Sequence, residues 1–144
     1  MSNQSSEQSI SGQFVFKNAL LASKLAKRVR NHLSIHVISL SEYVVMQHLH
    51  HSPNKAVARI ELAEHIGMSA SGVTRLIAPM EKTGIIEKVA NPRDARQSQV
   101  KLSNAGQRIY ADASVSFEQI TKELVGGLSQ AQQEKIVELY GKLI

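Results

Sequence analysis

The sequence predicts a mainly α-helical protein with a small β-wing: six helices and one hairpin in a single domain. Three observations carry that prediction. Between Glu61 and Ile77, a small residue, a glycine and a serine fall where two short crossing helices need them. Directly afterwards, Ile85 to Val89 and Gln99 to Leu102 read as strands around the turn-forming run Asn91-Pro92-Arg93-Asp94. On both sides lie longer stretches whose apolar residues recur at helical spacing.

Met1 to Ser11 is polar and rich in Ser and Gln, the composition of a flexible tail, which places the folded domain at residues 12–144. From about Phe14 to His32, the positions Phe14, Phe16, Leu20, Leu21, Leu25, Val29 and Leu33 form one helical stripe. The interleaved Lys17, Lys24, Lys27, Arg28 and Arg30 read as its solvated face. Ser39 and Glu42 have capping-box spacing and open a second helix from about Ser41 to His50, with Tyr43, Val44, Met46 and Leu49 inward. Pro53-Asn54 ends that helix, and a short extended piece near Val57 and Ala58 follows. After the hairpin, Ser103 is placed to cap a long helix carrying Ile109, Tyr110, Ala113, Phe117, Ile120 and Leu124. Gly126-Gly127 breaks it, and Ser129 with Gln132 caps a last helix bearing Ile136, Leu139, Tyr140 and Leu143. A single core of this size leaves those terminal apolar faces uncovered. Pairing of residues 12–36 and 104–144 with the same faces of a second copy, as a two-fold homodimer, is the expected solution.

Composition narrows the class. The 144 residues include no Cys, which excludes disulfides, thiolate metal sites and a cysteine redox switch. No apolar run approaches membrane-spanning length and no basic-then-apolar signal pattern opens the chain, so the expected location is the cytoplasm, with no membrane partner. A net charge of +5 favours a polyanionic partner. Only 4% of residues are aromatic, too few for the stacking platforms of single-strand binders, so the expected polyanion is double-stranded DNA.

The helix-turn-helix shows how such a duplex is read. Ala63 permits close helix crossing, Gly67 supplies the positive φ that ends the first helix, and Ser69 caps the second. Val73, Leu76, Ile77 and Met80 give the second helix its buried stripe, which leaves Ser71, Gly72, Thr74 and Arg75 on the opposite face. Ser69, Ser71, Gly72, Thr74 and Arg75 are therefore the expected major-groove residues, with Arg75 suited to guanine. Pro79 costs the helix one backbone bond and is read as structural. At the hairpin tip, Arg93 and Arg96 suit a minor groove, and Asp94 is expected to orient Arg96 through a carboxylate–guanidinium pair.

Taken in order, these residues resemble the MarR family of winged helix-turn-helix transcriptional regulators. The resemblance rests on Leu40-Ser41-Glu42-Tyr43, Glu61-Leu62-Ala63, Gly67-Met68-Ser69, Ser71, Val73-Thr74-Arg75-Leu76 and Glu81-Lys82-Thr83-Gly84-Ile85-Ile86. It continues through Asp94-Ala95-Arg96 and Leu102-Ser103-Asn104-Ala105-Gly106. It implies a winged helix-turn-helix at residues 40–103, a dimer built from the terminal helices, and a pseudo-palindromic operator. It further implies repression and release by a small aromatic or anionic effector bound between the dimer helices and the winged domain. Ala95 stands where the family often has a basic residue, which implies a weaker wing contact; Ser103 stands for the usual Thr and keeps the cap.

Other constellations carry less. His48, His50 and His51 cluster at a helix end, and His32 and His36 are four apart, but neither set has a carboxylate close in sequence. They read as charges favourable to a helix C-terminus rather than as a metal site, and no cofactor is expected. No nucleophile motif, phosphate-cradling glycine loop or metalloprotease spacing is present, so the chain does not read as an enzyme. The rival reading is a winged-helix protein-interaction module without DNA binding, which a neutral or acidic recognition face would mark. Arg75 and both wing arginines oppose it.

Overall fold

In the computed structural model, which describes residues 7–90 and 98–144, the chain becomes helical earlier than the apolar periodicity begins. Ser9 accepts a hydrogen bond from the Gly12 amide at 3.0 Å and starts α1, Ile10–Leu33. Ile10 and Ser11, expected in the tail, thus belong to the first helix. A serine cap decides where the helix starts, and of the apolar stripe only Val29 and Leu33 are buried.

After one 3₁₀ turn (Ser34–His36), Ser39 and Glu42 form the reciprocal capping box of α2, Leu40–His51. Here the expected inward set needs one correction. Val45 is fully buried with Tyr43, Met46 and Leu49, whereas Val44 is exposed. The two valines are equivalent in type and adjacent, and the packing of α2 on its neighbours separates them.

β1 (Ala56–Ala58) leads into α3 (Arg59–Ile66), the turn at Gly67, and α4 (Ala70–Lys82). β2 (Ile86–Val89) and β3 (Gln99–Leu102) form the antiparallel hairpin, and β1 adds to the outer side of β3, giving the order β1-β3-β2. Val57 and Lys88 both lie opposite Val100, and Ile86 opposite Leu102. α5 (Asn104–Leu124) and α6 (Gln130–Tyr140) complete six α-helices among the described residues. The core is continuous from the sheet (Val57, Ile86, Val100, Leu102) through α2, α3 and α4 to Tyr110, Ala113 and Ile120 of α5. Tyr43 stacks between Phe117 and Tyr110 at ring-centroid distances of 4.6 and 5.5 Å. Burial raises the pKa of both tyrosines, keeping their hydroxyls neutral.

Two backbone features matter for this scaffold. Gly67 adopts φ 69° at the helix-turn-helix corner, as the sequence requires. Val37, between α1 and α2, holds φ 60° and ψ 35° with a β-branched side chain that is 87% exposed. That conformation costs a β-branched residue about 1–2 kcal/mol, and little burial offsets it here. Val37→Asn is therefore expected to raise stability by ~1 kcal/mol, measurable as a higher urea midpoint at unchanged m-value.

The terminal helices leave apolar surface open. Phe14 (49% exposed), Leu21 (52%) and Leu143 (66%) line a groove of about 530 Å³ between α1 and α6, with Leu25, Ile136 and Leu139. The Tyr140 hydroxyl donates to Asn18 Oδ1 and fastens α6 to α1 beside that groove.

Candidate nucleic-acid interface

The corner and the cap set the direction of α4. The Met68 amide donates to Ala63 O at 3.0 Å, closing α3 around Gly67, and Ser69 Oγ accepts from the Gly72 amide at 3.0 Å to begin α4. Ala63, Val73, Ile77 and Met80 are buried together. With that stripe inward, Ser71, Thr74, Arg75, Ala78 and Lys82 are all exposed. At about 100° per residue they fall on one face.

The predicted residues divide by what their side chains are already doing. Ser69 caps the helix and its hydroxyl lies 3.3 Å from that of Ser71, so the two serines form one local unit. Gly72 is half-buried; a side chain there would meet Ser69 Oγ at 3.1 Å and Met68 Cε at 3.2 Å, so this position faces the turn. Thr74 donates its hydroxyl to Ala70 O at 3.1 Å. Arg75 is exposed, and no carboxylate among the described residues pairs with it. Pro79 sits inside α4 and has no amide to give to Arg75 O. The expectations for Arg93, Asp94 and Arg96 fall outside the described residues.

Sequence reasoning missed three residues that brace this face. Arg59 at the start of α3 donates to Glu81 near the end of α4 at 2.8 Å, and Lys88 of β2 approaches the other Glu81 oxygen at 3.7 Å. One carboxylate thus ties α3, α4 and the wing strand, and the trio keeps one net positive charge. Arg59 and Glu81 are 22 positions apart, beyond any local spacing signal. Lys82 and Ala78, by contrast, were legible as continuations of Thr74 in steps of four.

A second clasp fixes α5 to the same unit. Ser103 Oγ accepts from the Gly106 amide at 2.9 Å, capping α5, and donates toward the carbonyls of Gly84 and Ile85. The Ser103 amide also donates to Ile85 O at 3.0 Å. Gly106 lies so close to this segment that an added Cβ would sit 2.1 Å from Ile85 O.

The histidines are placed by packing. His48 of α2 lies against His65 of α3 with ring centroids 4.5 Å apart, His50 lies against Tyr110, and His36 meets Ser116 Oγ at 2.8 Å. Among the described residues, no group of three His, Asp or Glu side chains is placed to hold a metal ion. Desolvation and then His65 lower the His48 pKa, with Glu61 opposing; His51 lines the same surface cleft as these three residues. A lowered folded-state pKa means stability is fully present above the unfolded value, about 6.5, and is lost as pH falls below it. The urea midpoint should therefore drop between pH 7.5 and pH 5.5, and His48→Gln should reduce that drop. An equal drop in the variant would exclude His48 as its source.

Residues 38–98 match the MarR family. The whole fold is similar to that of a cysteine-to-serine variant of Escherichia coli MarR solved with operator DNA, at 19% identity and TM-score 0.82, covering 92% of this chain and 94% of that one. It is equally similar to a MarR family regulator from Streptomyces coelicolor in complex with DNA (19%, 0.82, covering 99% and 91%). A probable transcriptional regulator from Pseudomonas aeruginosa matches at 20% identity and TM-score 0.82, covering 94% and 100%.

Proposed function

We propose that this chain, which carries a MarR family domain over residues 38–98 within a six-helix winged fold, is a homodimeric repressor of transcription that binds a pseudo-palindromic duplex operator. MarR is a family of transcriptional regulators and not of enzymes. The observation that carries the reading is the exposed face of α4, where Arg75 stands without an acidic partner among the described residues. A guanidinium so presented matches the paired acceptors of guanine in a major groove. Ser69 and Ser71 at the helix start suit phosphate or base-edge contacts, and Gly72 lets the turn close behind them. Arg93 and Arg96, oriented by Asp94, are assigned to the minor groove.

The dimer is supported by the open apolar groove between α1 and α6. In it residues 12–36 and 104–144 pair with a second copy, leaving 40–103 to read DNA. Two α4 helices then enter successive major grooves roughly 34 Å apart. The effector is a small aromatic or anionic molecule, and the cleft among α2, α3 and α5 suits it. Tyr43, Val44, Ile66 and Phe117 offer apolar contact there, and His48, His51 and His65 offer positive charge once protonated. Among the described residues, no helix is long and apolar enough to cross a membrane.

Selection of duplexes from a random pool tests the reading. A two-fold symmetric motif is expected, bound as a dimer in sedimentation and weakened steeply by salt as phosphate contacts release counterions. Failure to enrich any duplex would overturn it.

A further inference from the structure

The chemistry of the α4 face is less polar than its residue names suggest. Thr74 is the clearest case. Its hydroxyl hydrogen is engaged by Ala70 O at 3.1 Å, so it has no proton left for guanine O6 or N7 or for thymine O4. What Thr74 still offers outward is its methyl group and the acceptor lone pairs of its hydroxyl oxygen. Ala70 lies one turn before it and Ala78 one turn after, both exposed and both ending in a methyl. The serine hydroxyls do not fill this strip, because Ser69 and Ser71 face each other at the helix start. Ala70, Thr74 and Ala78 therefore form an apolar row alongside the guanidinium of Arg75.

We infer that Thr74 is a specificity-determining residue that recognises thymine through methyl–methyl contact, flanked by Ala70 and Ala78, beside the guanine taken by Arg75. Only thymine carries a C5 methyl in the major groove, so such a row distinguishes it from cytosine and from both purines. The inference rests on the proposed reading of α4 as the DNA-reading helix and adds which base it selects and by which atom. A hydroxyl acting as acceptor from adenine N6 or cytosine N4 makes the opposite demand, since it needs the oxygen and not the carbon.

Replacement of single thymines by deoxyuridine in a selected duplex removes only that methyl. Wild-type protein is expected to lose about fourfold in affinity at one or two thymines per half-site, the factor expected for burial of one carbon. Thr74→Ser, which keeps the hydroxyl and deletes the methyl, should bind thymine and deoxyuridine duplexes equally at that position. Thr74→Val, which keeps a methyl and deletes the hydroxyl, should retain the wild-type discrimination. Uniform tolerance of deoxyuridine by the wild-type protein overturns the inference, and so does discrimination that survives in Thr74→Ser or vanishes in Thr74→Val. These failures leave duplex selection and the Arg75 requirement intact. A protein that selects no duplex at all fails the proposed function first, and the thymine assignment with it.

Discussion

Gly106→Ala is expected to destabilise the folded protein by at least ~3 kcal/mol, the upper end of what overpacking costs. The added Cβ would lie 2.1 Å from the carbonyl oxygen of Ile85, which is backbone and cannot rotate away as a side-chain end would. The neighbouring contacts allow no easy retreat. Ile85 O accepts from the Ser103 amide at 3.0 Å and from its hydroxyl at 3.1 Å, and Leu102 Cδ2 crowds the same site at 3.3 Å. Relief therefore requires α5 to lift off the segment between α4 and β2, breaking its cap as it goes. Thermal unfolding should show a midpoint lower by roughly 10 °C or more for a chain of this size. A midpoint within 2 °C of wild type, by the scale of ~1 kcal/mol per few degrees, would mean that this approach is looser than described.

Arg75→Ala is expected to leave the fold intact and to cost operator affinity about tenfold to a hundredfold, corresponding to ~1–3 kcal/mol for a bidentate guanine contact. Arg75 is exposed and makes no ion pair among the described residues, so its removal leaves no charge stranded in the core. The loss should fall mainly on the selected duplex and much less on random DNA, because a base contact carries sequence information and a phosphate contact does not. Arg75→Lys should recover only part of the affinity, since an ammonium lacks the two-pronged geometry. Equal losses on selected and random duplexes would reassign Arg75 to the phosphate backbone. Unchanged binding to both would remove α4 from the interface.

Local chemistry is the part of this fold most legible in sequence. Ser39 with Glu42 and Ser129 with Gln132 announce helix starts because both partners of each capping box lie three residues apart, and both boxes form. Gly67 is equally readable, because a helix that must stop and turn needs a residue at ease with positive φ. Decisions made by distant packing were not readable. Nothing local says that Val45 and not Val44 faces the core, or that β1 joins the sheet through β3. For the interface, the face of α4 followed from its buried stripe, while the Arg59–Glu81–Lys88 brace joins residues whose sequence separation hides their proximity. Gly106 carried a signal that went unused. A glycine in the first turn of a well-capped helix, where no turn needs it, marks a place where another stretch of backbone comes very near.

The clasp at Ser103 makes α5 a lever. This rod of 21 residues spans about 30 Å, one end fastened to the carbonyls that follow α4 and the other standing beside the open apolar groove. A tilt of α5 cannot leave the segment between α4 and β2 behind without breaking the bonds from Ser103 to the Gly84 and Ile85 carbonyls.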